Sequence, residues 1–184
     1  TSTTFDFSNF GLTDDSEELN SLKYKTSVKK LKLDGNSQIS NAKLQEILST
    51  MTGLQALSLN GCTNLKSIDF DNFKTDDVTN MSGMFSDCKG LTSLDVSNFD
   101  TSNVTNMDEM FYNCNKLVTI YVTEYDSTTG KGWSTEKVTS STSMFYNCSK
   151  LVGGNGTVYD SSNTDATYAR IDTAENPGYL TKKN

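Results

Sequence analysis

The sequence predicts an α/β solenoid, a stack of short parallel strands backed by helices. Three observations carry this. First, the segments 65–90 and 91–116 match position by position: Leu65/Leu91, Ile68/Leu94, Phe70/Val96, Phe73/Phe99, Val78/Val104, Met81/Met107, Phe85/Phe111 and Cys88/Cys114 recur at a fixed spacing of 26 residues. Second, each repeat opens on an alternating run, in which Leu94 and Val96 face one way and Ser93, Asp95 and Ser97 the other, the period of a strand with one wet face. Third, each repeat closes on apolar residues spaced by three and four (Val104, Met107, Met110, Phe111, Cys114), the period of a helical stripe. Self-similarity at a period of this length marks a repeat array of leucine-rich type, in which no single repeat buries both its faces.

Taken in order, residues 1–26 precede the repeats. Phe5, Phe7 and Phe10 supply apolar bulk, and Thr13–Ser16 reads as a helix start leading into Leu19 and Leu22. The segment is expected to cap the first repeat. Repeats are assigned to 27–150. Val28–Asn36 is the first strand, and Ser40 or Asn41 caps a helix carrying Leu44, Ile47, Leu48 and Met51. Leu54–Leu59 starts the next strand, 26 residues after Val28, but Leu65 follows Leu54 by only 11. A parallel crossover normally needs a dozen or more residues, so the two runs either form the strand and return of one enlarged repeat or pair in some other way; the enlarged repeat is favoured.

Thr101 is expected to cap the helix of the second clean repeat, with Phe99 turned inward just before it. The third repeat opens at Leu117–Val122 and places its helix after Thr135, with eight residues inserted between Tyr125 and Thr135. Trp133 then takes the buried place that Phe99 holds one repeat earlier, and Tyr125 stands at the mouth of a projecting loop. The final segment, 151–184, breaks the period. Its Gly-rich turn, its tyrosines and Pro177-Gly178 suit a C-terminal cap built of short strands or of a helical turn around Ala166–Arg170.

The pattern VTNM-x-x-MF-x-x-C-x-x-L-x-x-L-D-V-S-N-F-D-T-S-N resembles the BspA-like leucine-rich-repeat surface proteins of bacteria, and the closing stretch GTVYDSSNTDATYARIDTAENPGYLT is similar to a terminal segment of that family. The resemblance implies an exported, cell-surface or secreted bacterial protein that binds partners or adheres.

Composition narrows the function classes. A net charge of −7 disfavours nucleic acid, whose phosphates need clustered Lys and Arg. No apolar run is long enough to span a membrane, and the polar start TSTTFDF is expected of a mature or truncated chain. The chain has no His, which removes the usual Ser-His-Asp and Cys-His arrangements and the commonest general base. Cys62, Cys88, Cys114 and Cys148 each stand three residues before a repeat leucine. Buried free thiols are favoured there over a neighbouring-repeat disulfide or a reactive or metal-binding role. Asp69, Asp71, Asp76 and Asp77 are candidate calcium ligands, though they fit no calcium-loop pattern.

What remains is the surface. Outward strand residues form columns running from Lys30 and Lys32, through Asp69, Asp71 and Asp95, to Tyr121. The expectation is therefore a monomeric, non-enzymatic module without cofactor. It binds a protein or glycan partner through Asp69, Asp71, Asp95, Tyr121, Tyr125 and Lys131, the last two on the inserted loop. A structural spacer presenting other domains is the alternative.

Overall fold

The computed structural model describes residues 4–68, 70 and 73–184. In chain order the elements are β1 (Thr4–Asp6), α1 (Glu17–Asn20), β2 (Lys30–Lys32), α2 (Asn41–Leu48), β3 (Ala56–Ser58), β4 (Ser93–Asp95), β5 (Thr119–Val122), a 3-10 turn (Ala166–Tyr168) and β6 (Leu180–Lys182). The strands form two separate three-stranded parallel sheets, β1-β2-β3 and β4-β5-β6. This overturns the expected leucine-rich-repeat solenoid, with its single concave sheet and convex layer of helices. Among the described residues there are two α-helices, both before Ser49, and none in the repeats that carry the clearest 3–4 spacing.

The two helices form where the sequence supplies starts for them. Ser40 accepts a hydrogen bond from the Lys43 N–H at 3.1 Å, satisfying one of the free donors of the first turn of α2. Leu44, Ile47 and Leu48 then bury one stripe. Leu19 on α1 is buried in the same core.

The stretch after Thr101 takes another course because its backbone turns left-handed at regular points. Gly83, Glu109 and Ser143 hold equivalent repeat places, and all have positive φ (64°, 55° and 55°); Asp87, Asn113 and Asn147 repeat this four residues later. A helix of L-residues does not pass through such points. Instead the N–H groups alternate. Met84, Ser86 and Cys88 donate three residues back to Met81, Gly83 and Phe85, while Met81, Gly83, Phe85 and Asp87 donate to Asn106, Asp108, Met110 and Tyr112 in the following repeat. Successive three-residue turns send Met107, Met110, Phe111 and Cys114 inward at the spacing that a helix would give. Thr101 likewise does not cap its own segment: its hydroxyl donates to the Ser134 carbonyl and accepts from the Ser134 N–H, both at 2.7 Å.

The short interval between Leu54 and Leu65 is resolved by a change of partners. Past β3, Leu59 and Gly61 donate to the carbonyls of Met84 and Ser86 rather than to another strand. The run from Leu65 lies elsewhere: Lys66 and Ser67 donate to the Asn41 side chain, and the Lys66 carbonyl accepts from Thr92, just before β4. The outward residues of β2 and β3 therefore do not share a sheet face with those of β4 and β5, and the expected continuous gradient from basic to acidic is broken.

Packing follows the same register. Phe85, Phe111 and Phe145 stack with ring centroids 5.8 and 5.5 Å apart, and Tyr179 closes the row edge-on at 5.3 Å from Phe145. Phe99 meets Phe70 and Phe73 edge to face, and Phe70 joins this cluster to the row through an edge-on contact with Phe85. Such pairs add roughly 0.5–1.5 kcal/mol each beyond the area they bury.

Candidate functional site

β4 and β5 pair so that Asp95 lies directly opposite Tyr121, and β5 and β6 pair so that Tyr121 lies opposite Thr181. Alternation buries Leu94, Ile120 and Leu180 beneath the sheet and turns Asp95 and Tyr121 outward. Two of the predicted residues are thus brought together by strand register alone.

The Asp95 carboxylate accepts the Ser97 N–H at 3.0 Å and forms an ion pair with Lys183. The Lys183 ammonium also lies 5.5 Å from the centre of the Tyr121 ring. Partial burial opposes ionisation of Asp95, but the Lys183 ammonium and the Ser97 donors outweigh it and hold the carboxyl below its ordinary range. Beside this pair opens a cleft of about 430 Å³. Its walls carry Asn41, Gln45, Ser97 and Asn98, and Ile68 and Phe70 contribute its apolar part.

Lys131 and Tyr125 are placed apart from Asp95. The inserted segment closes into a small hairpin, with the Asp126 N–H donating to the Lys131 carbonyl and the Gly130 N–H to Asp126, both at 2.8 Å. The Asp126 carboxylate collects the Thr128 hydroxyl and N–H and the Thr129 hydroxyl, and these donors lower its pKa. Lys131 reaches back to Asp76 at 2.9 Å; their hydrogen bond lowers the carboxyl and raises the amine. Both side chains are more than half exposed, so this ion pair contributes little to stability. Lys131 borders a second cleft, of about 340 Å³, that also touches Asn98. Tyr125 lines a third, of about 360 Å³, with Trp133 and Arg170. Trp133 is buried in the expected place, its indole N–H donating to the Ala169 carbonyl at 2.9 Å.

Asp69 and Asp71 lie outside the described residues. Of the remaining candidate calcium ligands, Asp76 is engaged by Lys131, and among the described residues no three metal-ligating side chains converge.

The family model described as "Mycoplasma protein of unknown function, DUF285" matches residues 56–177, more than half of the chain. The chain belongs to the DUF285 family. No curated protein and no solved structure matches it. The DUF285 match begins at Ala56 and takes in Asp95, Tyr121, Tyr125 and Lys131; Lys183 lies beyond it. No helix among the described residues of this DUF285 chain is long and apolar enough to cross a membrane.

Sequence reasoning missed Lys183 and the cleft wall formed by Asn41 and Gln45. β6 joins β5 at an offset of about sixty residues, outside the 26-residue period, so no repeat pattern marks it. The signal for Asn41 was present as a helix start, but not its reach to the backbone of Lys66 and Ser67.

Proposed function

We propose that this chain is a non-enzymatic binding module, exported to the surface or secreted by a bacterium, which meets a protein partner on the face carrying Asp95 and Tyr121. The observation that carries this reading is an outward carboxylate, Asp95, that lines a cleft with mixed polar and apolar walls and is paired across the strands with an outward aromatic ring, Tyr121. Exposed Tyr is enriched in contact surfaces because it offers broad apolar area at low entropic cost. Rigid strands hold such a pair in place without an ordering penalty on binding. The resemblance to BspA-like surface proteins supports the setting, and the acidic balance of the chain favours a cationic partner.

The test is an array of host and bacterial surface proteins and glycans, probed with the parent chain and with Tyr121→Ala. A protein partner is expected whose binding falls at least tenfold in the variant, while the melting temperature is unchanged. A partner that binds both alike would place recognition on another face, and retention of glycans alone would reject a protein partner.

A further inference from the structure

The last residues of the chain occupy part of the candidate face. β6 adds to β5 in parallel, and the Lys183 N–H donates to the Val122 carbonyl at 2.8 Å. This brings the Lys183 ammonium against the Asp95 carboxylate and over the Tyr121 ring. The tail does not depend on that contact for its position. Tyr179 is fully buried, Leu180 is buried under the sheet, and Lys182 pairs separately with Glu124.

A carboxylate and an aromatic face converging on one ammonium are the elements of a receptor for a primary amine. The carboxylate supplies charge and a directed acceptor, and the ring attracts the cation through its quadrupole. The ion pair is also open to exchange, since the Asp95 and Lys183 side chains are 38% and 47% exposed. The adjoining cleft has a polar wall of Asn41, Ser97 and Asn98, with Ile68 and Phe70 forming the apolar part beside an incoming segment.

We propose that Asp95 and Tyr121 form a seat for a lysine side chain of a protein partner, and that Lys183 holds this seat as an internal competitor in the unbound chain. The proposal rests on the binding-face reading above and adds to it the group recognised and the device that tunes its affinity. A chain of net charge −7 draws lysine-bearing partners toward this face, and the built-in lysine sets a threshold against weak ones.

The experiment titrates Nα-acetyl-lysine methylamide into the isotopically labelled chain and follows the Tyr121 ring and Asp95 signals by NMR. Lys183→Met keeps the aliphatic stem and the backbone pairing but removes the competing charge. Its signals should saturate at about two- to tenfold lower probe concentration than those of the parent, the range set by exchanging one exposed ion pair and one cation–ring contact. The Nε-acetylated probe and the double variant Lys183→Met/Asp95→Asn should give no such response. Equal titrations of parent and Lys183→Met, or no movement at Asp95 and Tyr121 in either, would overturn the proposal. The array separates its failure from that of the binding-face reading. A protein partner lost on Tyr121→Ala but bound equally by Lys183→Met would remove the internal competitor and leave the face. Probe binding without any Tyr121-dependent partner would remove the face reading and, with it, the protein partner's lysine, leaving only a site for a free amine.

Discussion

The Cys114 thiol donates to the Phe85 carbonyl of the preceding repeat at 3.0 Å. Cys62, Cys88 and Cys148 make the equivalent contact to Leu33, Leu59 and Phe111, at 3.4, 3.2 and 3.0 Å. All four thiols are free and buried, and burial pushes Cys62 and Cys114 up to about 12, with Cys88 and Cys148 raised as well. The row fastens each repeat to the one before it.

This row predicts a loss of stability in alkali. A thiol that stays protonated in the folded chain but ionises near its ordinary value of 9.0 when unfolded stabilises the fold fully below pH 9. That contribution is lost as pH rises from 9 towards 12, by about 1.4 kcal/mol per pH unit for each thiol. Urea melts at pH 8, 9.5 and 10.5 should show the decline, with a shallower slope for Cys114→Ala. Equal slopes would mean that the Cys114 thiol ionises alike in both states. Cys114→Ser, whose hydroxyl can keep the bond to Phe85, is expected to cost about 1 kcal/mol.

Glu109 separates a turn from a helix by the sign of one substitution. Its φ of 55° is the left-handed conformation that Gly83 adopts one repeat earlier. Glu109→Gly relieves that strain and should hold or raise the melting temperature, whereas a β-branched Glu109→Val should lower stability by about 1–3 kcal/mol. Inside a helix, Gly would instead cost about 1 kcal/mol relative to Ala. A clear fall in melting temperature for Glu109→Gly would return the segment to a helical form.

The contrast between these segments shows what the sequence made legible. Period-two alternation located β3 to β5 to within a residue or two and β2 with an end four residues too long, and Ser40 marked the start of α2, because both signals are local. The turns after Val78 and Val104 imitate a helix, since three-residue turns and a helical stripe both send Met107, Met110, Phe111 and Cys114 inward. The discriminating information is the left-handed backbone at Glu109, Asn113, Ser143 and Asn147, where the residue type varies and only Gly83 announces it. At the candidate site, Asp95 and Tyr121 were legible as equivalent places in adjacent repeats. Lys183 was not, because its position depends on a strand pairing outside the repeat.

Tyr179 should hold the last repeat closed. Its ring covers Phe145, its hydroxyl accepts the Asp160 N–H at 3.0 Å, and the Phe145 N–H is met by the Thr164 carbonyl at 2.8 Å. Tyr179→Ala is expected to cost about 3–5 kcal/mol, the range for removing a buried ring, and Tyr179→Phe about 1 kcal/mol for the hydroxyl. Ending the chain before Leu151 bares Phe145 and should give aggregation. A soluble 1–150 fragment with a cooperative melt would contradict this.

The binding face itself is most directly tested by cross-saturation NMR on the labelled chain in complex with a protein partner from the array. The account predicts the strongest transfer at the amides of Asp95 and Asn98, which line the cleft, and of Tyr121, opposite Asp95. Transfer confined to the stacked pair Tyr112 and Tyr146, with Asp95 and Tyr121 silent, would contradict it.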